Sequence, residues 1–422
     1  MPTIASAITF VQDLQWRGLI QQSTSPNLAS FLSTPQTLYC GFDPTADSLH
    51  VGSLLPLITL LRFKLAGHTA IGLLGGATGL IGDPSGRSSE RNLQTPETVQ
   101  KNLDSIKQQI TPFTSLCLNN IAWTQQLSLL DFLRDTGKCF SVNAMLQRDS
   151  VKSRLDREGD GLSFTEFTYM LLQAHDFLHL HQHHQCCLQI GGSDQWGNMC
   201  SGTDLIRRKT THEAHAITLP LLTRPDGQKF GKTAEGAIWL SPLKTNPWHF
   251  YQFWLNTDDT SAIPLLKQLT LLDRPTIETL EELTLNSPHL RSAQQQLAFS
   301  LTSLVHGTEI ATNLAQATSV LFTTQSTFQF HDLPLATINT LKHALPTAVY
   351  TPNTSLVDIL VALKIEPSRS AATRSITSNA IRVNGSPISN PLWQPNATSW
   401  HHNTLLVRKG KKTLALLQQT SP

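Results

Sequence analysis

The sequence predicts an α/β fold built on a doubly wound parallel sheet, followed by a helical region and a small basic α+β domain. Three observations lead to that reading. Over the first half, short apolar runs alternate with segments of helical spacing. Glycine-rich loops follow those runs, at the strand ends where open α/β sheets bind ligands. Beyond Pro247 the glycines thin out, helical spacing dominates to about Phe322, and a basic block closes the chain.

Thr37–Phe42 reads as a short buried strand. A turn of Asp, Pro and Thr follows. Leu54, Ile58, Leu61 and Leu65 then recur at helical spacing across Val51–Ala66, with Pro56 early and Gly67 as a stop. Thr69–Leu74 is the next strand and completes a βαβ unit. The loop Gly75–Gly86 leaves that strand, and helical patterns fill much of Thr95–Ile110 and Leu127–Leu180. Cys186–Ile190 is a strand running into Gly191–Gly197, and Ala216–Leu222 is another. Three prolines and weak periodicity mark His331–Pro352 as a linker. The expected domains are 1–222, an α/β domain with a helical insertion; 223–247, loop and linker; 248–330, helical; 331–352, linker; and 353–415, the C-terminal domain.

A chain of 422 residues exceeds one ordinary domain, and 40% hydrophobic content points to packed cores. No apolar run approaches the ~18 residues of a membrane span. Met1–Ile20 lacks the basic start and compact apolar segment of a signal peptide. The six cysteines form no regular framework, so a reducing cytoplasm is expected. Charge is unevenly placed. Val361–Lys412 holds eight Lys/Arg and one acid, a charge of +7; the whole chain is at +2, so the remainder carries −5. Either a polyanion docks on this block or it is a solvated basic surface.

Two stretches carry chemistry. In Asp43-Pro-Thr-Ala-Asp-Ser-Leu-His-Val-Gly-Ser53, a strand–turn–helix places His50 and Gly52 at a helix start, where backbone N–H groups face an anion. Thr45 and His50 can donate to phosphate oxygens. Alone, His50 would read as an ordinary cap. In Asp226-Gly-Gln-Lys-Phe-Gly-Lys-Thr233, Lys229 and Lys232 flank Gly231 on a loop and can neutralise charge developing on phosphates. Gly231-Lys232-Thr233 ends like a P-loop, but only three residues separate Gly227 from Gly231 where that motif needs four. His175 and His179, at i,i+4 beside His181, His183 and His184, invite a zinc reading. No third ligand has ordered spacing, and no metal site is expected.

These two stretches resemble the HIGH and KMSKS signatures of class I aminoacyl-tRNA synthetases. With Tyr39–Ser53, Gly75–Gly86, Phe164–Asp176, Gln189–Gly197 and Lys229–Thr233 in order, the chain is similar to bacterial-type tyrosyl-tRNA synthetase over nearly its whole length. The resemblance implies a Rossmann-like catalytic domain. It also implies a two-step ligation through tyrosyl-adenylate, with L-tyrosine, ATP and Mg²⁺, and tRNA as acceptor. It implies that Tyr39 and Asp176 hold the phenolic hydroxyl, that Asp83, Tyr169 and Gln173 hold the α-ammonium group, and that Gln195 lies by the carboxylate. Gly41, Asp43, Gly192 and Asp194 would contact the adenylate, with Gly52, Ser53, Lys232 and Thr233 also at the nucleotide. Cys40 matches a ribose-contacting position, and Arg87 and Arg91 match basic positions near the pyrophosphate. Thr45, His50, Lys229 and Lys232 would stabilise the transition state. Ser53 departs from the usual His or Asn, which implies an altered ribose contact. An alternative is a paralogue that binds RNA and has lost catalysis; another is the related tryptophan enzyme.

Ser355–Leu363, Pro367–Arg374 and Ala380–Ser386 are similar to the alpha-L RNA-binding domain. The resemblance implies phosphate contacts by Arg369, Arg374, Arg408, Lys409, Lys411 and Lys412. An acidic residue and a second arginine usual there are Ala371 and Thr373 here. The family also implies a homodimer, with the helical region after Asn102 at its interface.

Overall fold

A computed structural model describes residues 7–85, 94–148, 151–152, 155, 162–222, 231–233, 236–322, 330–410 and 413–419. The expected site residues Arg87, Arg91, Lys229, Lys411 and Lys412 lie outside that set. For Lys232 and Thr233 only the backbone is described.

By its internal contacts the chain forms two units, 1–241 with 263–281, and 242–262 with 282–422. The segment expected as one helical domain, 248–330, is thus divided between them.

The first unit opens with α1 (Ala7–Trp16) and contains a six-stranded sheet. Its strands are β1 (Gln22–Ser23), β2 (Thr37–Phe42), β3 (Thr69–Leu74), β4 (Leu116–Asn119), β5 (Cys186–Gly192) and β6 (His215–Leu219), in the order β1-β6-β5-β2-β3-β4. The four pairings among β2 to β6 are parallel; β1 is antiparallel to β6. The order reverses direction at β2, and there the cavity opens at the strands' carboxyl ends, as the doubly wound geometry requires.

The helices that cross between strands follow from their sequences. α2 (Leu54–Leu65) buries Leu54, Leu55, Leu57, Ile58, Leu60 and Phe63, more than one stripe, because it is covered on several sides. Gly67 ends it at φ +93°. Thr95 caps α3 (Pro96–Ile110) by accepting from the Thr98 N–H, and Pro96 occupies the first turn. Ser163 caps α4 (Phe164–His184) in the same way through the Glu166 N–H. α5 (Trp196–Thr210) packs back toward β6. Three carbonyls of the 263–281 segment explain its place in this unit. The buried Arg17 guanidinium donates to the backbone oxygens of Lys267, Thr270 and Leu272 at 2.9, 3.4 and 2.7 Å.

The helical patterning expected over much of Leu127–Leu180 is present as short helical segments between Leu129 and Leu146 and then as α4. One expectation is corrected. Residues 331–352 are not a bare linker. They hold a helix, Leu335–Ala344, and β9 (Thr347–Tyr350), which pairs in parallel with the last strand of the chain. Pro334 and Pro346 punctuate these elements rather than prevent them.

The second unit is helical at first, with Pro247–Leu255, Ser292–His306 and Thr308–Phe322 in mutual contact. It ends in a five-stranded sheet ordered β11-β10-β12-β13-β9. There β10 is Ile381–Val383, β11 Ser386–Pro387, β12 Thr404–Lys409 and β13 Thr413–Gln419. The helices Leu356–Ala362 and Arg369–Thr377 bury Leu356, Leu360, Ala372 and Ile376 against Ile381, Leu405, Val407 and Leu417. Among the described residues no helix is long and apolar enough to cross a membrane.

Candidate active site

β2 and the loop after it, β5 with its extension, and α4 enclose one cavity of about 550 Å³ in the first unit. Its walls include the expected residues Tyr39, Cys40, Gly41, Asp43, Thr45, His50, Gly52, Ser53, Asp83, Tyr169, Gln173, Asp176, Gly192, Asp194 and Gln195. Residues up to 156 positions apart in sequence thus meet on one surface.

At the closed end, the fully buried Tyr39 hydroxyl has no hydrogen-bond partner among the described residues. Its ring lies 5.2 Å from that of Phe177, and burial followed by the Asp176 charge pushes its pKa well above the ordinary value. It therefore remains an O–H donor. Asp176 is also buried, and desolvation raises its carboxyl to about 7. Two hydrogen bonds oppose that rise. The Asn120 amide donates to Oδ2 at 2.8 Å, and the Trp123 indole N–H donates to Oδ1 at 2.8 Å. Sequence reading missed both residues. They follow β4, and their only signal was the polar pair Asn119-Asn120 closing a short apolar run.

A second cluster faces the middle of the cavity. The Tyr169 hydroxyl donates to Asp43 Oδ2 at 2.9 Å, which commits its proton and leaves its oxygen as an acceptor. Asp43 Oδ1 accepts from the Thr78 hydroxyl at 2.8 Å. The Gln195 amide donates to Asp83 Oδ2 at 2.7 Å, and the Ser85 N–H donates to Asp83 Oδ1 at 2.9 Å. The Asn198 amide donates to Gln173 Oε1 at 3.1 Å. Tyr169 oxygen, Gln173 Oε1 and Asp83 are then three acceptors suited to a cation.

At the helix start, His50 is extended at φ −114°, and its Nδ1 accepts from the Gly52 N–H at 3.0 Å. That bond selects the tautomer carrying the proton on Nε2. A Cβ on residue 52 would lie 2.7 Å from the His50 ring, so a side chain there would displace the imidazole from this position. Ser53 forms no side-chain cap, and the residue lines the cavity.

The histidine-rich end of α4 is built from stacked rings. Trp123 lies on His179 at 4.2 Å between centroids, and His179 on His183 at 4.1 Å. Burial, then the neighbouring His183, lowers His179 to about 4 and keeps it neutral. No group of three or more His, Cys, Asp or Glu among the described residues is arranged to hold a metal ion.

On the small domain, Arg374 is exposed, but two expected RNA contacts hold the domain's own acids. Arg369 pairs with Asp358 at 2.9 Å, and Lys409 pairs with the buried Glu366 at 2.6 Å. Arg408 stands directly across from Arg382 in the β10–β12 pairing.

Residues 33–323 match the family model "tRNA synthetases class I (W and Y)", and residues 337–417 match "Tyrosine--tRNA ligase SYY-like C-terminal domain". A tyrosine--tRNA ligase of Opitutus terrae is 44% identical over 97% of this chain and 100% of the relative. The chain belongs to the tyrosine–tRNA ligase family of class I aminoacyl-tRNA synthetases. Another relative, tyrosine--tRNA ligase 1 of Bacillus cereus, is 46% identical over 89% of this chain and 91% of its own. A C-terminally truncated mitochondrial tyrosyl-tRNA synthetase of Aspergillus nidulans superposes with a TM-score of 0.68 at 32% identity, covering 74% of this chain and 94% of that one.

Proposed function

We propose that this chain activates L-tyrosine with ATP and transfers it to tRNA, using the cavity of the first unit for both steps. The buried, unpartnered Tyr39 hydroxyl at the same closed end as Asp176 is the observation that carries this reading. A substrate phenol placed there donates to the Asp176 carboxylate and pairs with Tyr39. Phenylalanine would leave the Tyr39 hydroxyl unpaired and bring no donor to the buried Asp176 carboxylate. A site built to hydrogen-bond a hydroxyl rejects the analogue lacking it by about 10⁴–10⁵, a range for which this family is itself the usual example. An indole brings an N–H on a larger ring, which argues against the tryptophan enzyme.

The substrate ammonium then lies on Tyr169, Gln173 and Asp83, and its carboxylate near Gln195. That carboxylate attacks the α-phosphorus of ATP in line and displaces pyrophosphate, so no protein nucleophile is needed. Gly41, Asp43, Gly192 and Asp194 hold the adenylate. Thr45, His50, Lys229 and Lys232 stabilise charge on the phosphates. Gly52 admits the nucleotide closely, and Ser53 and Thr233 add hydroxyl contacts. Mg²⁺ travels with the nucleotide, whose phosphates supply its oxygens; the cavity walls offer Asp43 and Asp194 as the nearby carboxylates.

The C-terminal domain grips tRNA phosphates with Arg374, Arg408, Lys411 and Lys412. Arg369 and Lys409 contribute what their ion pairs leave available. Two copies associate through an apolar surface of Leu129, Leu130, Leu133, Val142 and Phe164, which are 71, 78, 50, 58 and 75% exposed in the single chain. The protein works in the cytoplasm, where its substrates are. ATP–pyrophosphate exchange tests the reading: tyrosine supports it, and the loss of exchange in His50→Ala with tyrosine binding retained identifies the phosphate-facing residue. Unchanged exchange in that variant would sink the assignment.

A further inference from the structure

We propose that Trp239 is a positioning residue for His50, holding the imidazole in its donor orientation; this rests on the role given to His50 above. Lys232–Thr233 (β7) folds back on Gly236–Ala237 (β8), with Lys232 opposite Ala237. The Ile238 N–H donates to the Gly231 oxygen at 3.0 Å. The returning chain then reaches the start of the helix. The Val51 N–H donates to the Ile238 oxygen at 2.9 Å, and the Leu240 N–H donates to the Leu49 oxygen at 2.8 Å.

Those two bonds flank an isolated antiparallel bridge between His50 and Trp239. A pair flanked in this way is the narrow kind, in which side chains approach closest. The two rings meet edge to face, 6.3 Å between centroids at 66°. Trp239 is half-buried and lines the cavity beside His50. Gly231 seats the other end of the hairpin. It sits at φ +85°, and a Cβ there would lie 2.3 Å from Val51 Cγ2.

The χ2 torsion of histidine is broad and nearly two-fold, so the ring's orientation depends on what packs against it as well as on the Gly52 bond. A flip would exchange Nδ1 for a carbon and redirect the Nε2 proton. The indole packs against the imidazole and so opposes that flip. The register between the hairpin and the helix start is held by the backbone bonds of Ile238 and Leu240, so it survives a change of the Trp239 side chain.

The test is a double-mutant cycle on the full-length chain, read by the rate of tyrosyl-adenylate formation, with tyrosine affinity from equilibrium dialysis as the control. W239A lowers the rate about 10–100-fold, the cost of misplacing a catalytic group by about 1 Å. Tyrosine affinity stays within about twofold, since Trp239 is not among the residues proposed to hold tyrosine. W239F recovers most of the rate. Added to H50A, W239A costs less than about threefold, because no imidazole remains to position. If W239A loses tyrosine binding, W239L replaces it with the same expectations. An unchanged rate in W239A, or its full cost repeated in the H50A background, overturns the proposal while leaving His50's role intact. An unchanged rate in H50A itself refutes the underlying reading, and the proposal with it.

Discussion

Trp123→Phe isolates one hydrogen bond at the closed end of the cavity. The substitution retains an aromatic ring over His179 and deletes the N–H that donates to Asp176 Oδ1 at 2.8 Å. Asp176 is fully buried, so solvent does not screen the loss. A hydrogen bond to a charged group contributes about 1.5–3 kcal/mol. At 1.36 kcal/mol per unit, the Asp176 carboxyl moves up by about 1–2 units, from about 7 toward 8 or 9. The sign follows from the chemistry. The carboxylate accepts the substrate's phenolic proton, so tyrosine binds the deprotonated form. KM for tyrosine therefore rises in the native enzyme as pH falls through about 7, and in Trp123→Phe that rise begins about 1–2 units higher. The assay is tyrosine-dependent ATP–pyrophosphate exchange from pH 6 to 9.5. A KM raised equally at every pH would show that Trp123 acts by packing alone. A wild-type profile would refute the link between the indole and the carboxylate.

Other outcomes follow from the same geometry. Asp83→Asn raises KM for tyrosine by tenfold or more in exchange assays, since it removes the one charged acceptor proposed for the ammonium; the loss of a charge-assisted bond is about 1.5–3 kcal/mol. Truncation after residue 322 leaves adenylate formation intact and impairs tRNA charging. A cut after Pro352 strands β9 without its partner β13, and thermal melts should show the poorer stability. Arg374→Ala weakens tRNA binding and reduces the slope of log affinity against log salt by about 1. Arg369→Ala changes that slope less, because its guanidinium pairs with Asp358. Leu130→Glu yields monomers in light scattering, and retained dimers would exclude that surface.

The parts of the fold with strong local periods were legible in the sequence. β2 and β3 begin and end where their apolar runs do, and α2 carries its leucines at helical spacing up to Gly67. β4 was not legible, because Leu116 and its neighbours are partly exposed at the sheet edge and show no alternation. β9 was hidden for a different reason. Its pairing partner lies more than sixty residues later, and the prolines around it read as breaks. The cavity residues carried by the first signature and α4 were legible as types in a pattern. Asn120 and Trp123 were not, since their work depends on β4 delivering them to Asp176. Trp239 was equally invisible. Nothing in a Gly-Ala-Ile-Trp stretch reports a backbone bridge to a residue nearly two hundred positions earlier.

The most direct test of the central claim is ATP–pyrophosphate exchange measured separately with tyrosine, tryptophan and phenylalanine on the purified chain. Robust exchange with tyrosine, none with tryptophan, and a phenylalanine rate lower by orders of magnitude would agree with a pocket closed by Tyr39 and Asp176. Exchange driven by tryptophan, or by no amino acid at all, would contradict it.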